Sequence, residues 1–295
     1  MISKTAMITV AGRPNVGKST LTNALVGEKV SIVTNKPQTT RNRICGIVNR
    51  GDTQFVLMDT PGFHKARTHL GDYMVNVVKE SVAGVDLVAL LVEPIANIGT
   101  QEQLLIQRIK EANVPAVLII NKIDTIPKEE LFPIIAMYND AHDFEAIIPI
   151  SARKKDGLEI LLDEFEKYAV EGPQLYPDDM TSDQPDRQMV AEIVREKLLL
   201  CLEREIPHGT AVEVTRFTER ENEIIDAHVT IFCEKASHKG IIIGKDGAML
   251  KRVGELARKD IEAYMGTKVF LQTWVKVKEN WRDNDVLIRN FGYTE

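Results

Sequence analysis

Little in this sequence points to the cell exterior, to a bilayer or to a cross-linked scaffold. Only three cysteines occur in 295 residues, Cys45, Cys201 and Cys233, and they are odd in number and far apart. That pattern excludes a disulfide framework and a cysteine metal site, and it fits free thiols in a reducing compartment. The six histidines show no paired metal spacing. No run approaches the roughly 20 apolar residues that span a bilayer. The start, Met1-Ile2-Ser3-Lys4, lacks the apolar segment and cleavage site of a signal peptide. The expectation is a cytoplasmic protein, with peripheral contact at the inner face of the cell membrane left open. Positive charge is short as well: 37 Lys and Arg against 43 Asp and Glu give a formal net charge of −6. A role with nucleic acid must therefore rest on a local patch.

What is present is an ordinary globular composition, 44% hydrophobic and 27% charged. The length is too great for one typical core and favours two domains. Residues 1–170 alternate strand-like and helix-like patterns, which predicts an α/β domain with a mostly parallel sheet. Strands are expected at Ala6–Val10, Ile44–Asn49, Gln54–Met58, Val85–Val92, Ala116–Ile120 and Ala146–Ile150, short and apolar as in sheets covered on both faces. Helices are expected at Lys18–Val26, Thr100–Glu111, Glu129–Asn139 and Leu158–Val170. Residues 171–186 hold three prolines, four aspartates and almost no periodicity, so they read as a linker. From 187 to 295 the order changes to a smaller α+β pattern. It has helix over Gln188–Glu205, strands over Ala211–Thr218 and Glu223–Glu234, helix over Gly247–Tyr264 and a strand over Lys268–Lys278. Arg220-Glu221-Asn222 lies near the turn between the first two of those strands.

Gly12-Arg13-Pro14-Asn15-Val16-Gly17-Lys18-Ser19 fits G-x-x-x-x-G-K-[ST], directly after the first strand and opening the first helix. Its glycines let successive N–H groups point at phosphate oxygens, and the helix N-terminus adds positive potential. Lys18 can reach the β- and γ-phosphates, and the Ser19 hydroxyl can ligate Mg²⁺. This motif says nucleoside triphosphate without saying which base.

Asn121-Lys122-Ile123-Asp124 closes a strand and fits N-K-x-D. Guanine presents two donors on one edge, and the single carboxylate of Asp124 can accept both. Adenine would leave that carboxylate unpaired. Asn121 can contact the purine and tether neighbouring loops, and the Lys122 stem can lie over the base. Ser151-Ala152-Arg153 ends the next strand, where the Ala152 N–H can meet the guanine oxygen. Asp59-Thr60-Pro61-Gly62 fits D-x-x-G: Asp59 can hold Mg²⁺ through water, and the Gly62 N–H can contact the γ-phosphate. In the polar stretch Glu28–Arg43 a threonine can ligate Mg²⁺ and sense that phosphate, Thr40 favoured and Thr39 the alternative. Lys18, Thr40, Asn15 and Gly62 form the candidate catalytic set of a GTPase.

The run Gly12–Thr20 and Gln38-Thr39-Thr40-Arg41 resemble translation-factor-like GTPases, and more narrowly the bacterial Era family, over nearly the whole chain. The resemblance implies GTP and GDP as ligands with Mg²⁺. It also implies a C-terminal type II KH domain binding the 3′ end of 16S ribosomal RNA, and a role in 30S small-subunit maturation, acting as a monomer. Phe63 stands where Ras-like proteins carry a water-orienting glutamine. In similar GTPases the loop asparagine, here Asn15, helps bind K⁺, which implies a slow intrinsic rate stimulated by K⁺. The other reading of Asn15 is a loop-stabilising side chain.

A KH domain uses a G-x-x-G loop to approach a single-stranded backbone closely. Here Gly244-Lys245-Asp246-Gly247 fits, in the setting His238-Lys239-Gly240-Ile241-Ile242-Ile243. From Lys235 to Lys259 seven Lys or Arg face two acids, a positive stretch in an acidic chain. Gly240, Ile243, Gly244, Lys245, Asp246, Gly247, Lys251 and Arg252 are the candidate RNA-binding residues. Ile242 and Ile243 face either the core or an apolar base groove, with the core favoured for Ile242. A membrane or signalling GTPase with a protein-docking second domain is the alternative, and the G-x-x-G loop argues against it.

Overall fold

The computed structural model describes residues 2–63, 66, 68–82, 84–220 and 223–293. In chain order the elements are β1 (Lys4–Ala11), α1 (Lys18–Val26), β2 (Ile44–Arg50), β3 (Thr53–Asp59), α2 (His69–Ser81), β4 (Leu87–Val92) and α3 (Thr100–Ala112). There follow β5 (Ala116–Ile120), α4 (Leu131–Ala141), β6 (Ala146–Pro149), α5 (Leu158–Glu166) and β7 (Val170–Glu171). The rest is α6 (Asp186–Cys201), β8 (Ala211–Glu219), β9 (Ile225–Cys233), α7 (Ala236–Ile243), α8 (Ala248–Met265), β10 (Val269–Val277) and α9 (Asp285–Asn290). Glu221 and Asn222, expected near the β8–β9 turn, lie outside the described residues.

Contacts divide the chain into two compact units. The first ends at Asp183, and the second gathers Gln184–Glu295 with the short pieces Ile32–Thr39 and Arg67–Gly71.

In the first unit the sheet order is β2-β3-β1-β4-β5-β6, with β7 also paired to β1. β1, β3, β4, β5 and β6 run parallel; β2 and β7 are antiparallel to their neighbours. The parallel strands read as unbroken apolar runs because both faces are covered, and β4 and β5 are buried at every position. One face packs Ile8, Leu57, Leu91 and Ile119 against Leu21 of α1 and Leu161 of α5. The other packs Leu90, Leu118 and Ile120 against Val78 of α2 and Ile109 of α3.

The segment expected as a linker runs along the β2 edge. Ile47 donates to the Thr181 carbonyl at 2.9 Å, Ser182 bridges Gly46, and Asp183 Oδ1 accepts the Cys45 N–H at 3.0 Å. Gln54, fully buried, accepts the N–H groups of Leu175 and Tyr176 at 2.9 Å each and donates to the Tyr176 carbonyl at 2.9 Å. An edge strand exposes unpaired backbone groups, and this strap occupies them. Its prolines and aspartates break regular pairing while leaving enough carbonyl and carboxylate acceptors to hold it.

In the second unit β10-β9-β8 form a three-stranded sheet, β9 antiparallel to β8 and parallel to β10. Alternate residues Ile225, Ala227, Val229, Ile231 and Cys233 of β9 face the helices. There they meet Ile193 and Leu198 of α6 and Val253, Ala257 and Ile261 of α8. This α-β-β-α-α-β order is that of the type II KH arrangement that the family resemblance implies.

Replacing Gln54 by Ala removes the strap's buried acceptor and donor together. Such unsatisfied groups cost about 1–3 kcal/mol each. The urea midpoint of Gln54→Ala is expected to fall, with proteolytic cleavage appearing between residues 172 and 181. An unchanged midpoint and cleavage pattern would show that the strap is held by other contacts.

Candidate functional site

Because five strands run parallel, their C-terminal ends meet along one edge of the first unit's sheet. That edge is where ligands bind in open α/β folds. β1 delivers Gly12–Gly17 there, β3 delivers Asp59, β5 delivers Asn121 and β6 delivers Ser151.

Lys18 opens α1 and is buried. Its Nζ donates to the Gly12 carbonyl at 3.1 Å and the Arg13 carbonyl at 3.0 Å. Burial pulls its ammonium down to about 8, while the Asp59 charge works the other way. Asp59 is fully buried, and burial raises its carboxyl above the usual range against the Lys18 charge and nearby hydroxyls. Its Oδ2 accepts from the Ser31 hydroxyl at 2.9 Å. Its Oδ1, also buried, has no hydrogen-bond partner among the described residues. The Ser19 and Thr40 hydroxyls lie 2.9 Å apart. Thr39, by contrast, spends its hydroxyl on Thr34 Oγ1 at 2.6 Å and the Lys36 carbonyl at 2.7 Å. An unpartnered carboxylate oxygen with two adjacent hydroxyls is a hard oxygen donor set that fits Mg²⁺. No cluster of three His, Cys, Asp or Glu suited to another metal occurs among the described residues.

Gly62 packs directly on the phosphate loop: a Cβ there would sit 2.7 Å from Pro14 Cα and 2.8 Å from its nitrogen. Only glycine allows this approach. Thr60 Oγ1 donates to the Val10 carbonyl at 2.9 Å, and the Phe63 N–H donates to the Gly12 carbonyl at 3.1 Å. Pro61, between them, is buried. The Phe63 side chain turns into the core beside Val78, Val82 and Leu90, with the Arg108 guanidinium 4.6 Å over its ring. It is therefore a packing anchor.

Asn121 bridges two loops. Its Nδ2 donates to the Val16 carbonyl at 2.8 Å, and its Oδ1 accepts the Ala152 N–H at 3.0 Å. The Ala152 N–H, expected to be offered to guanine, is thus already bonded, and a base oxygen reaching it must share or displace that bond. Asp124 Oδ1 accepts from the Ser151 hydroxyl at 2.7 Å. This bond first, and then the Lys154 and Arg153 charges, hold its carboxyl below the usual range against burial. Lys122 donates to the Asn15 carbonyl at 2.6 Å and pairs with Glu93 Oε1 at 2.6 Å. Arg13 pairs with the other Glu93 oxygen and with Glu102 at 2.9 Å. Asn15 is exposed with φ +66°, and Thr20 is half-buried in the first turn of α1.

Sequence reasoning missed Glu93, Glu102 and Ser31. Glu93 carried one legible signal: an acid placed directly after an apolar parallel strand. Ser31 and Glu102 carried none, because their partners are remote in sequence.

In the second unit α7 and α8 are joined at Gly244–Gly247. Gly244 has φ +75°, and a Cβ there would lie 2.7 Å from Met249 Cβ. Gly240 accepts the Gly244 N–H at 2.8 Å. Lys245, Asp246, Lys251 and Arg252 are exposed, and Gly247 is half-buried. Ile242 is fully buried, Ile243 is half-buried against the same core, and Ile241 is the exposed apolar residue of the run.

Asn121→Ala removes the bridge between Val16 and Ala152. Amide hydrogen exchange at Ala152 is expected to speed by about tenfold or more, the size of one buried hydrogen bond. Unchanged protection would mean the two loops are held by other contacts.

A family model described as a 50S ribosome-binding GTPase matches residues 7–122, and a KH domain model matches residues 205–282. GTPase Era of Ruminiclostridium cellulolyticum is 51% identical over 293 residues, covering 99% of this chain and 98% of that one. GTPase Era of Alkaliphilus metalliredigens is 47% identical over 294 residues, covering 99% and 100%. A crystal structure of an Aquifex aeolicus Era variant bound to GDP·AlF4⁻ superposes with a TM-score of 0.95 at 36% identity, covering 99% and 100%. A crystal structure of Era with MgGDPNP and nucleotides 1506–1542 of 16S ribosomal RNA gives 0.96 at 36% identity, again over 99% and 100%. With identity running through both the phosphate-loop half and the KH half, the chain belongs to the Era family and is a GTPase.

Proposed function

We propose that the chain is a GTP-dependent switch that binds 16S ribosomal RNA near its 3′ end and assists 30S subunit assembly, as a monomer in the cytoplasm. The observation that carries this is the pairing of a guanine-nucleotide site with an exposed basic G-x-x-G loop in one chain. The full-length likeness to an Era structure holding MgGDPNP and a 16S fragment supports it. The matching GTPase model is described by the 50S subunit, yet it covers only the nucleotide half. The 16S fragment held by the Era structure matched over the whole chain argues for the small subunit. No helix among the described residues is long and apolar enough to cross a membrane.

In this reading residues Gly12–Thr20 cradle the phosphates, and Lys18 moves from the Gly12 and Arg13 carbonyls to phosphate oxygens. Mg²⁺, when bound there, would supply positive charge that stabilises the phosphates as charge develops. Ser19, Thr40 and Asp59 hold it, with Thr40 preferred to Thr39 because only Thr40 places its hydroxyl beside Ser19. Gly62 presents its N–H to the γ-phosphate. Asp124 reads guanine, while Asn121, Lys122, Ser151, Ala152 and Arg153 shape the base pocket. Phe63, locked in the core, cannot orient water. Asn15, exposed on the phosphate loop, offers an amide oxygen for K⁺. Lys245, Lys251 and Arg252 contact RNA phosphates, and Gly244, Asp246 and Gly247 allow close backbone approach beside Gly240 and Ile243.

RNA cross-linking and sequencing with the full chain, in GTP-analogue and GDP states, tests the RNA assignment. Lys245→Glu with Arg252→Glu is expected to weaken binding of the 1506–1542 fragment by at least about tenfold and to flatten its salt dependence by about one unit per lost contact. Equal affinity would remove this surface from the reading. Separately, GTP turnover is expected to rise several-fold when Na⁺ is exchanged for K⁺, and Asn15→Ala is expected to abolish the difference. Equal turnover in the two salts would sink the K⁺ assignment.

A further inference from the structure

The three-stranded sheet of the second unit has a face turned away from its helices. Along β10 the residues Phe270, Gln272, Trp274 and Lys276 alternate with the core-facing Val269, Leu271, Thr273 and Val275. Phe270 is 43% exposed and Trp274 is 44% exposed. Large aromatics at the same face of a strand normally pack against something, because an exposed ring forgoes the gain of burial. The other end of this face shows what such packing looks like. There Phe291 packs at a tilt against Phe232 with ring centroids 4.8 Å apart, and Trp281, fully buried, donates to the Gly209 carbonyl at 2.9 Å. Among the described residues, nothing buries Phe270 or Trp274 in this way, and both stay exposed.

The open end is also organised by charge. Asp226 on β9, its side chain 5% exposed, pairs with Arg220 at 3.1 Å, Arg216 at 3.6 Å and His228 at 3.1 Å. Arg220 thereby lies over the Phe270 ring, 4.7 Å from its centroid, and His228 leans on Trp274 at 5.3 Å. One buried carboxylate shared by two arginines leaves the cluster positive, and exposed Lys276, opposite Phe232 at the other end of the strand, adds positive charge along the same face. Glu213, opposite Thr230, is half-buried. Flat π-faces flanked by fixed cations match nucleobases joined by phosphates, the chemistry of single-stranded RNA on a sheet.

We infer that this face is a second RNA-binding surface, separate from the G-x-x-G loop, on which Trp274 and Phe270 stack unpaired bases while Arg216, Arg220 and Lys276 meet phosphates. It rests on the reading that the chain binds RNA, and it makes the KH unit grip its strand at two places. The carboxylate Asp226 positions the arginines and makes no contact with the RNA.

The two tryptophans give a direct readout, since Trp281 is buried and Trp274 is exposed. The full chain is titrated with the 1506–1542 fragment of 16S RNA while tryptophan emission is followed. Quenching is expected in the native chain and is expected to vanish in Trp274→Phe, which keeps a stacking ring and binds within about threefold. Trp274→Ala is expected to bind about tenfold weaker, the size of one lost stacked base. Lys276→Glu, at an exposed site that leaves folding intact, is expected to weaken binding several-fold and flatten the salt dependence. Unquenched emission, with Trp274→Ala and Lys276→Glu at native affinity while Lys245→Glu with Arg252→Glu still binds weakly, overturns this surface alone. Absence of any RNA binding by the native chain overturns the reading beneath it as well. Emission that responds to phosphatidylglycerol vesicles and not to RNA assigns the face to a membrane and overturns the proposal.

Discussion

The side-chain amide of Asn121 joins parts of the chain that are far apart in sequence. Its two hydrogen bonds reach the Val16 carbonyl at 2.8 Å and the Ala152 N–H at 3.0 Å, and it can make them only from the end of β5. That position exists because β1, β4, β5 and β6 lie in parallel order, so the loops after β1, β5 and β6 emerge together. The rest of the nucleotide edge is arranged around this tie. Lys122, the next residue, is aimed back at Asn15 and Glu93, and Ser151 is left free of the bridge to hold Asp124 charged. Phosphate loop and base loop are thus one object before any ligand arrives, which lowers the ordering cost of binding.

Most of this was legible. The strands β3, β5 and β6 and helix α1 follow from apolar runs and a glycine-lysine turn. Each motif falls where a parallel strand ends, because that is the one place such a sheet exposes backbone to a ligand. The strap at 171–183 was not legible as a strap. Proline and aspartate signal irregular backbone, and irregular backbone can be free or bound; only the buried Gln54, remote in sequence, shows which. The apolar run before the G-x-x-G loop had no decisive period, and it folds as helix α7 with Ile242 inward and Ile241 outward. Glu93 was missed because its role is to balance Arg13 and Lys122, a three-body relation that no short motif contains.

The buried pair of Lys18 and Asp59 places two opposite charges at the nucleotide edge, away from water. Both groups are removed from water, Lys18 pulled toward neutrality and Asp59 pushed toward it by the same loss of solvation. Lys18 satisfies its ammonium on two loop carbonyls, while one Asp59 oxygen has no hydrogen-bond partner among the described residues. A buried unsatisfied charge is costly, so a phosphate–Mg²⁺ pair that completes both groups relieves a penalty as well as adding contacts. In the proposed reading the third phosphate enters this balance through Gly62 and Thr40. Gly62 is pressed against Pro14, and its neighbour Phe63 is fixed in the core. Thr40 follows a segment, Ile32–Thr39, that clusters with the second unit. In the proposed switch, Gly62 and Phe63 hold their loop fixed while Thr40 is the residue whose position follows the nucleotide, and that division of roles is what would separate a switch from a simple hydrolase.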